Sequence, residues 1–135
     1  MSFVTRISMV LAAAALFTVS GAASADTSHG LEVKRLVFAR GIDGHEPQDA
    51  ATAFSAKEDR VYAFVEVANP GSEENIDVVF QPPTGAAFTV PLKVGSSKGF
   101  RTWAFTRRAH ESGEWTVTIR TAHKTLAHQS FTVTR

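Results

Sequence analysis

The sequence predicts an all-β fold, either a sandwich or a barrel. Glycine, proline, serine and asparagine interrupt the chain at short intervals, and the segments between them are rich in Val, Phe, Thr and Ile. Apolar and polar residues alternate in 86–94 and 114–121, as in strands with one buried face. No amphipathic helix of useful length appears, and the Ala-rich piece 47–56 allows at most one helical turn.

The amino-terminal segment has the layout of a cleaved secretory signal. Arg6 precedes an apolar run at 7–19, and the small residues 23–25 end the segment. We therefore expect a signal peptide at 1–25 and a periplasmic or secreted protein. The apolar run is too short for a permanent span and no second run of about 20 residues follows, so no membrane span is expected after signal removal.

Residues 26–135 form a chain long enough for one domain. The sequence has no cysteine, so its stability must come from the core without disulfides. Removal of Arg6 with the signal leaves as many basic as acidic residues, and the basic residues form no cluster beyond adjacent pairs such as Arg107 and Arg108. Nucleic-acid binding is therefore not expected.

Seven strands are predicted, and several features place them. They span about 31–40, 60–68, 76–82, 86–94, 99–107, 114–121 and 125–134. The apolar parity of the first strand changes across 34–35, which predicts a β-bulge there. Pro91 cannot donate a ladder hydrogen bond, so its strand is expected at a sheet edge. The last two strands are expected to form a hairpin with its turn near 122–124, and Trp115 is the expected core anchor.

One motif with the letters of a serine nucleophile elbow occurs at 95–99, Gly-Ser-Ser-Lys-Gly. In an elbow the serine, here Ser97, lies between a strand and a helix above a parallel sheet. A strand follows here instead, so the motif is interpreted as an interstrand turn. The sequence therefore predicts no catalytic residue, no enzyme and no cofactor.

The stretch Asp-Gly-His-Glu-Pro-Gln-Asp gathers four possible metal ligands, Asp43, His45, Glu46 and Asp49. Three carboxylates at every third position could surround a calcium ion. The spacing does not fit an EF-hand, however, and zinc would require further histidines. The preferred interpretation is a polar turn, and a metal site remains the alternative.

Aromatic and arginine side chains share faces of two predicted strands. In 60–68 the odd positions are apolar, which leaves the even positions on the other face, and in 99–107 charge and ring surface alternate with smaller residues. Such a surface suits a sugar or a protein ligand. The candidate binding residues are Tyr62, Phe64, Glu66, Arg101 and Trp103. The alternative is that these rings fill the interior of the sandwich.

Four stretches together resemble the bacterial domain of unknown function family 2914. They are the loop "GIDGHEP", the strand "VYAFVEVAN", the strand "RTW" and the strand "GEWTV". The residues that match the family's motifs are Gly41, Ile42, Glu46, Pro47, Val61, Tyr62, Phe64, Glu66, Val67, Asn69, Arg101, Thr102, Trp103, Gly113, Trp115, Thr116 and Val117. The sequence departs from the family at "NIDVVFQPPTG", where many members carry a His-Arg-Trp triplet.

The resemblance implies an extracytoplasmic, immunoglobulin-like antiparallel β-sandwich with no established catalytic residue. We expect a non-catalytic binding or accessory module whose partner is a cell-envelope glycan or a protein. The alternative is a metal-binding or metal-dependent domain that uses the 43–49 loop. Within that loop the resemblance assigns a structural role to Gly41, Glu46 and Pro47, and Glu46 is expected to bond within the protein, to Arg101 or to loop amides.

Overall fold

The computed structural model describes residues 30–135, and the predicted signal peptide lies outside them. The described chain forms nine strands: β1 Glu32–Asp43, β2 Glu46–Ala50, β3 Ala53–Ser55, β4 Val61–Asn69, β5 Glu74–Gln81, β6 Phe88–Val94, β7 Ser97–Thr106, β8 Gly113–Arg120 and β9 Thr125–Thr134. All seven predicted strands are present. The stretch predicted to be a turn followed by at most one helical turn contains β2 and β3 instead. β2 pairs with β1, which continues past its predicted end, and β3 pairs with β9.

Two sheets face each other. One has four strands in the order β2-β1-β4-β7, and the other has five in the order β3-β9-β8-β5-β6. Every pairing is antiparallel except that of β3 with β9, which is parallel. The predicted all-β sandwich is confirmed. None of residues 30–135 belongs to a helix long and apolar enough to cross a membrane.

The core lies between the sheets and is built around aromatic rings. Trp115 is 1% exposed, and its ring stacks on Phe131 with centroids 5.9 Å apart. Its indole N–H donates to the carbonyl of Glu111 at 2.9 Å, so burial leaves no unpaired donor. The odd positions of β4 face this core and are fully buried, as their alternation predicts. Trp115 is therefore the core anchor, as expected.

The local strand predictions are also confirmed. The register of β1 against β4 shifts between Val33 and Arg35, at the predicted bulge. Pro91 lies on β6, an edge strand among those described. The turn between β8 and β9 is closed by the Thr121 amide, which donates to the Lys124 carbonyl. Gly95 and Ser96 of the serine motif connect β6 to β7, and the remaining three motif residues, beginning with Ser97, belong to β7.

Candidate functional site

The candidate site is the surface of the four-stranded sheet that points away from the core, called here the outer face. Directly paired residues of an antiparallel sheet share a face, so the register identifies its members. Three rows cross β1, β4 and β7 in turn: Arg35, Glu66 and Arg101; Val37, Phe64 and Trp103; and Ala39, Tyr62 and Phe105. All five residues predicted from the sequence to bind a ligand lie within these rows.

The hairpin formed by β1 and β2 folds back over this outer face. Arg35 and Asp43 are eight residues apart on β1, which is about 26 Å in an extended strand. Glu46 is the register partner of Asp43, yet its carboxylate lies 3.1 Å from the Arg35 guanidinium. The two side chains together cannot span that distance, so β1 bends after Ala39, its last residue paired with β4.

The backbone shows where the hairpin bends and turns. Asp49 has a φ of 56°, a left-handed conformation that is uncommon within a strand and that kinks β2. At the tip, Gly44 and His45 have φ values of 59° and 63°, as a two-residue type I′ turn requires. The Arg40 guanidinium donates to the Asp49 carbonyl at 3.5 Å, next to the kink.

A chain of ion pairs connects the hairpin to the sheet. Arg101 on β7 donates to Glu46 at 2.5 Å, and Arg35 on β1 donates to both oxygens of the same carboxylate at 3.1 and 3.3 Å. Arg35 also donates through Nε to Glu66 at 2.8 Å. The hydrogen bond from Arg101, followed by that from Arg35, lowers the pKa of Glu46 below its ordinary value. The expected internal bond from Glu46 to Arg101 is therefore present.

Gly99 makes room for one member of this chain. A Cβ on Gly99 would lie 2.6 Å from Oε2 of Glu66, which is closer than real Cβ contacts. The Glu66 side chain therefore lies against β7 at Gly99, where a Cβ would force its carboxylate to shift. This placement holds the Glu66 carboxylate against Arg35.

Phe64 lies at the centre of the outer face and is fully buried. It does not belong to the core cluster between the sheets, so its burial comes from what covers the outer face. The Arg35 guanidinium lies over its ring, 4.9 Å from the centroid. Of the five predicted binding residues, Phe64 therefore supports the surface from below and cannot touch a ligand in this conformation.

The other end of the outer face exposes ring surface. Phe105 is 41% exposed and is the one exposed large hydrophobic residue among residues 30–135. The ring of Tyr62 lies 5.5 Å from it, and the Arg60 guanidinium lies over it at 4.8 Å. Arg60 also donates to the Tyr62 hydroxyl at 3.2 Å. The two alternatives for these rings therefore both hold in part: Phe64 is covered, whereas Phe105 is open to solvent.

Trp103 lies between the ion pairs and the exposed rings. It is half-buried, and the His45 imidazole at the hairpin tip meets its ring with centroids 5.6 Å apart. The tip thus contacts the sheet through one ring contact and one carboxylate. These two contacts close the middle of the outer face and leave the Phe105 end open.

The metal alternative is not supported by the structure. Glu46 is held by arginines and His45 faces Trp103, while Asp49 lies at the kink. Within residues 30–135 no three His, Asp or Glu side chains are grouped so that they could hold a metal ion. Asp43 and the other three potential ligands are therefore close in sequence but not gathered in space, because the segment is a hairpin instead of a loop around an ion.

Three contributors to this surface, Arg35, Arg60 and Phe105, were not among the binding residues predicted from the sequence. Arg35 was noticed only as part of a bulge, although the bulge is what returns its side chain to the outer face beside Glu66. Arg60 begins the predicted strand 60–68 with the parity of Tyr62 but was not chosen as a binding residue, and in the structure it precedes β4. Phe105 also lies on the outer face, opposite Tyr62, and was not among the predicted binding residues.

Comparison with known proteins gives a family match over part of the chain and a fold. The model of the family described as "Protein of unknown function (DUF2914)" matches residues 76–133, from β5 to β9, and this confirms the resemblance there. Two of the four motifs, around Arg101 and around Trp115, lie in the matched region, and the two earlier motifs lie before it.

Among solved structures, the chain is similar to a crystal structure of an immunoglobulin-like protein from Pseudomonas aeruginosa. The TM-score is 0.56 at 16% identity, and the match covers 77% of this chain and 96% of that one. At this identity the likeness shows the fold alone, which is immunoglobulin-like. A comparison with curated proteins finds no match.

Proposed function

From an immunoglobulin-like sandwich whose residues 76–133 match the DUF2914 family, we propose a non-catalytic binding module that acts outside the cytoplasm. Its site is the open end of the outer face, and its ligand is a glycan of the cell envelope. The observation that carries this proposal is the exposed Phe105 ring, which Tyr62 and Arg60 flank on a rigid sheet.

The chemistry of this end suits a sugar. A flat ring offers apolar contact to the C–H face of a pyranose, and arginine beside it donates planar hydrogen bonds to hydroxyl groups. The rings are held in place by strand pairing and by the bond from Arg60 to Tyr62, so little side-chain freedom is lost on binding.

A glycan fits the size of this surface better than a folded protein. A stable protein interface normally buries about 800 Å² on each partner and contains several aromatic anchors. Among residues 30–135 the large exposed apolar side chains consist of Phe105 alone. One or two rings suffice for stacking against a sugar, whereas a protein partner would need more apolar surface than this face provides.

The location outside the cytoplasm is supported by the signal predicted at 1–25. The absence of cysteine is compatible with it, since nothing in the chain depends on the redox state of the compartment. A fusion of residues 1–30 to a periplasmic reporter enzyme, compared with the reporter alone, measures export. Export of the fusion and not of the reporter is the expected result.

Binding is tested by cosedimentation with insoluble peptidoglycan sacculi. We expect the wild-type protein to sediment with the sacculi and the Phe105→Ala variant to remain in the supernatant. The control is Thr118→Ala on the five-stranded sheet, opposite Val79 and His128 in the register, which should sediment like the wild type. Cosedimentation of folded Phe105→Ala at the wild-type level would contradict the proposed site. If the wild-type protein does not bind sacculi but retains a protein from envelope extract, the assignment of a glycan ligand is contradicted.

A further inference from the structure

Two arginines from different strands converge on one carboxylate in this structure. Arg35 on β1 and Arg101 on β7 flank the central strand β4, and both donate to Glu46. Hydrogen bonds between guanidinium groups and a carboxylate are among the strong ones, and two arginines on one carboxylate form a defined anion site. The carboxylate that fills this site comes from the tip of the hairpin.

The site would attract an anion without Glu46. The remaining charges on that part of the outer face are Arg35, Arg101 and Glu66. Glu66 engages Nε of Arg35, whereas the Nη2 of Arg35 and the Nη1 of Arg101 point to Glu46. Two positive charges then face one negative charge, and two donor groups are available to an incoming oxyanion.

Displacement of the hairpin would break the side-chain contacts of Glu46 and His45 and uncover Phe64, but it would break no pairing between β1 and β4. Pairing of β1 with β4 ends at Ala39, and beyond it the hairpin pairs with itself alone among the described strands. The tip residues Asp43, Gly44 and His45 are exposed. The kink at Asp49 supplies a point of rotation, because a left-handed residue interrupts the strand there.

We propose that Arg35 and Arg101 bind the carboxylate of an acidic sugar, and that Glu46 occupies their site until such a ligand displaces it. This inference rests on the proposed function, since it adds an acidic group to the glycan assigned to the same face. Arg101 and Trp103 are two residues apart on one face of β7, about 7 Å. A sugar stacked near Trp103 can therefore present its carboxylate to the arginine.

The test is a calorimetric titration with two defined oligosaccharides, tetragalacturonate, which is acidic, and cellotetraose, which is neutral. The variants are Glu46→Gln, which keeps the shape and removes the competing charge, and Glu46→Gln with Arg101→Gln. Glu114→Gln is the matched control, because it removes one exposed negative charge on the five-stranded sheet. His45→Ala is a second variant that weakens the closed hairpin, because it removes the ring contact with Trp103 and keeps the charges that surround Glu46.

If Glu46 holds the site in about nine molecules of ten, its removal raises the affinity for tetragalacturonate about tenfold over wild type. Glu114→Gln should leave the affinity at the wild-type value, and His45→Ala should raise it less than Glu46→Gln does. Adding Arg101→Gln should abolish the gain. Affinity for cellotetraose should not change with Glu46.

Three results would overturn the inference: no gain in Glu46→Gln, an equal gain in Glu114→Gln, or an acidic hexaglutamate peptide binding Glu46→Gln where tetragalacturonate does not. Equal binding of both oligosaccharides to every variant would also overturn the carboxylate site, yet it would leave the glycan-binding function standing. Loss of cosedimentation with sacculi, by contrast, contradicts the proposed function itself. The two failures are therefore distinguishable.

Discussion

Replacement of Phe64 by alanine tests whether the hairpin covers the outer face in solution. Phe64 is 0% exposed although it points away from the core. Truncation of a fully buried phenylalanine costs about 3–5 kcal/mol of unfolding free energy. The matched variant is Phe105→Ala on the same face, where the exposed ring loses one aromatic and one cation–π contact worth about 1–2 kcal/mol together.

Urea unfolding followed by tryptophan fluorescence measures both variants on one scale, since Trp115 is buried in the core. We expect the loss for Phe64→Ala to exceed that for Phe105→Ala by about 1–4 kcal/mol. If the hairpin stood away from the sheet, Phe64 would be open to water and its truncation would cost no more than that of Phe105. Equal losses would therefore refute the closed hairpin.

Three further perturbations test the packing of Glu66 against Gly99, the left-handed conformation of Asp49 and the metal alternative. Gly99→Ala should lower stability by about 1 kcal/mol, because its Cβ displaces the Glu66 carboxylate, whereas Gly71→Ala meets Asn69 only at ordinary contact distance; thermal melting compares the two variants. The unfolding free energy of Asp49→Val should be about 2 kcal/mol lower than that of Asp49→Gly in urea titrations, since β-branched residues resist the left-handed conformation. A chelator should leave the melting temperature unchanged, and a decrease would revive the metal alternative.

The stability provided by Glu46 should depend on pH in a definite direction. Its pKa is lowered from 4.5 in the folded protein, so near that pH the unfolded chain binds more protons. The contribution is therefore present above pH 4.5 and is lost as the pH falls through the lowered value. Urea midpoints of the wild type and Glu46→Gln should differ at pH 7 and converge towards pH 3. A constant difference would contradict the ion-pair explanation.

The strands could be predicted because their signals are local. Alternation fixed the buried face of β4, a change of parity located the bulge at 34–35, and Pro91 marked the edge strand. Each signal reflects a rule about neighbouring residues. The same rules assigned Tyr62 to one face of its strand and Trp103 to one face of another, and the structure shows that these two strands pair and bring the two faces together.

The covered state of Phe64 could not be predicted in that way. It depends on where β1 bends, and the bend depends on a left-handed Asp49 and on contacts between Glu46 and two arginines distant in sequence. A bend of this kind has no periodicity. For the same reason the sequence left a metal site open as an alternative to a polar turn, whereas in the structure the carboxylate of Glu46 is bound to two arginines.

The proposed function requires that the outer face of the four-stranded sheet binds an envelope glycan. The most direct measurement is a chemical-shift map of the ¹⁵N-labelled protein during titration with soluble fragments of peptidoglycan glycan strands. We predict that the largest shifts fall on the amides and ring N–H of β7 and β4 around Trp103, Phe105 and Tyr62. Largest shifts around Thr118 and His128 on the opposite sheet, or no shifts at saturating fragment, would contradict it.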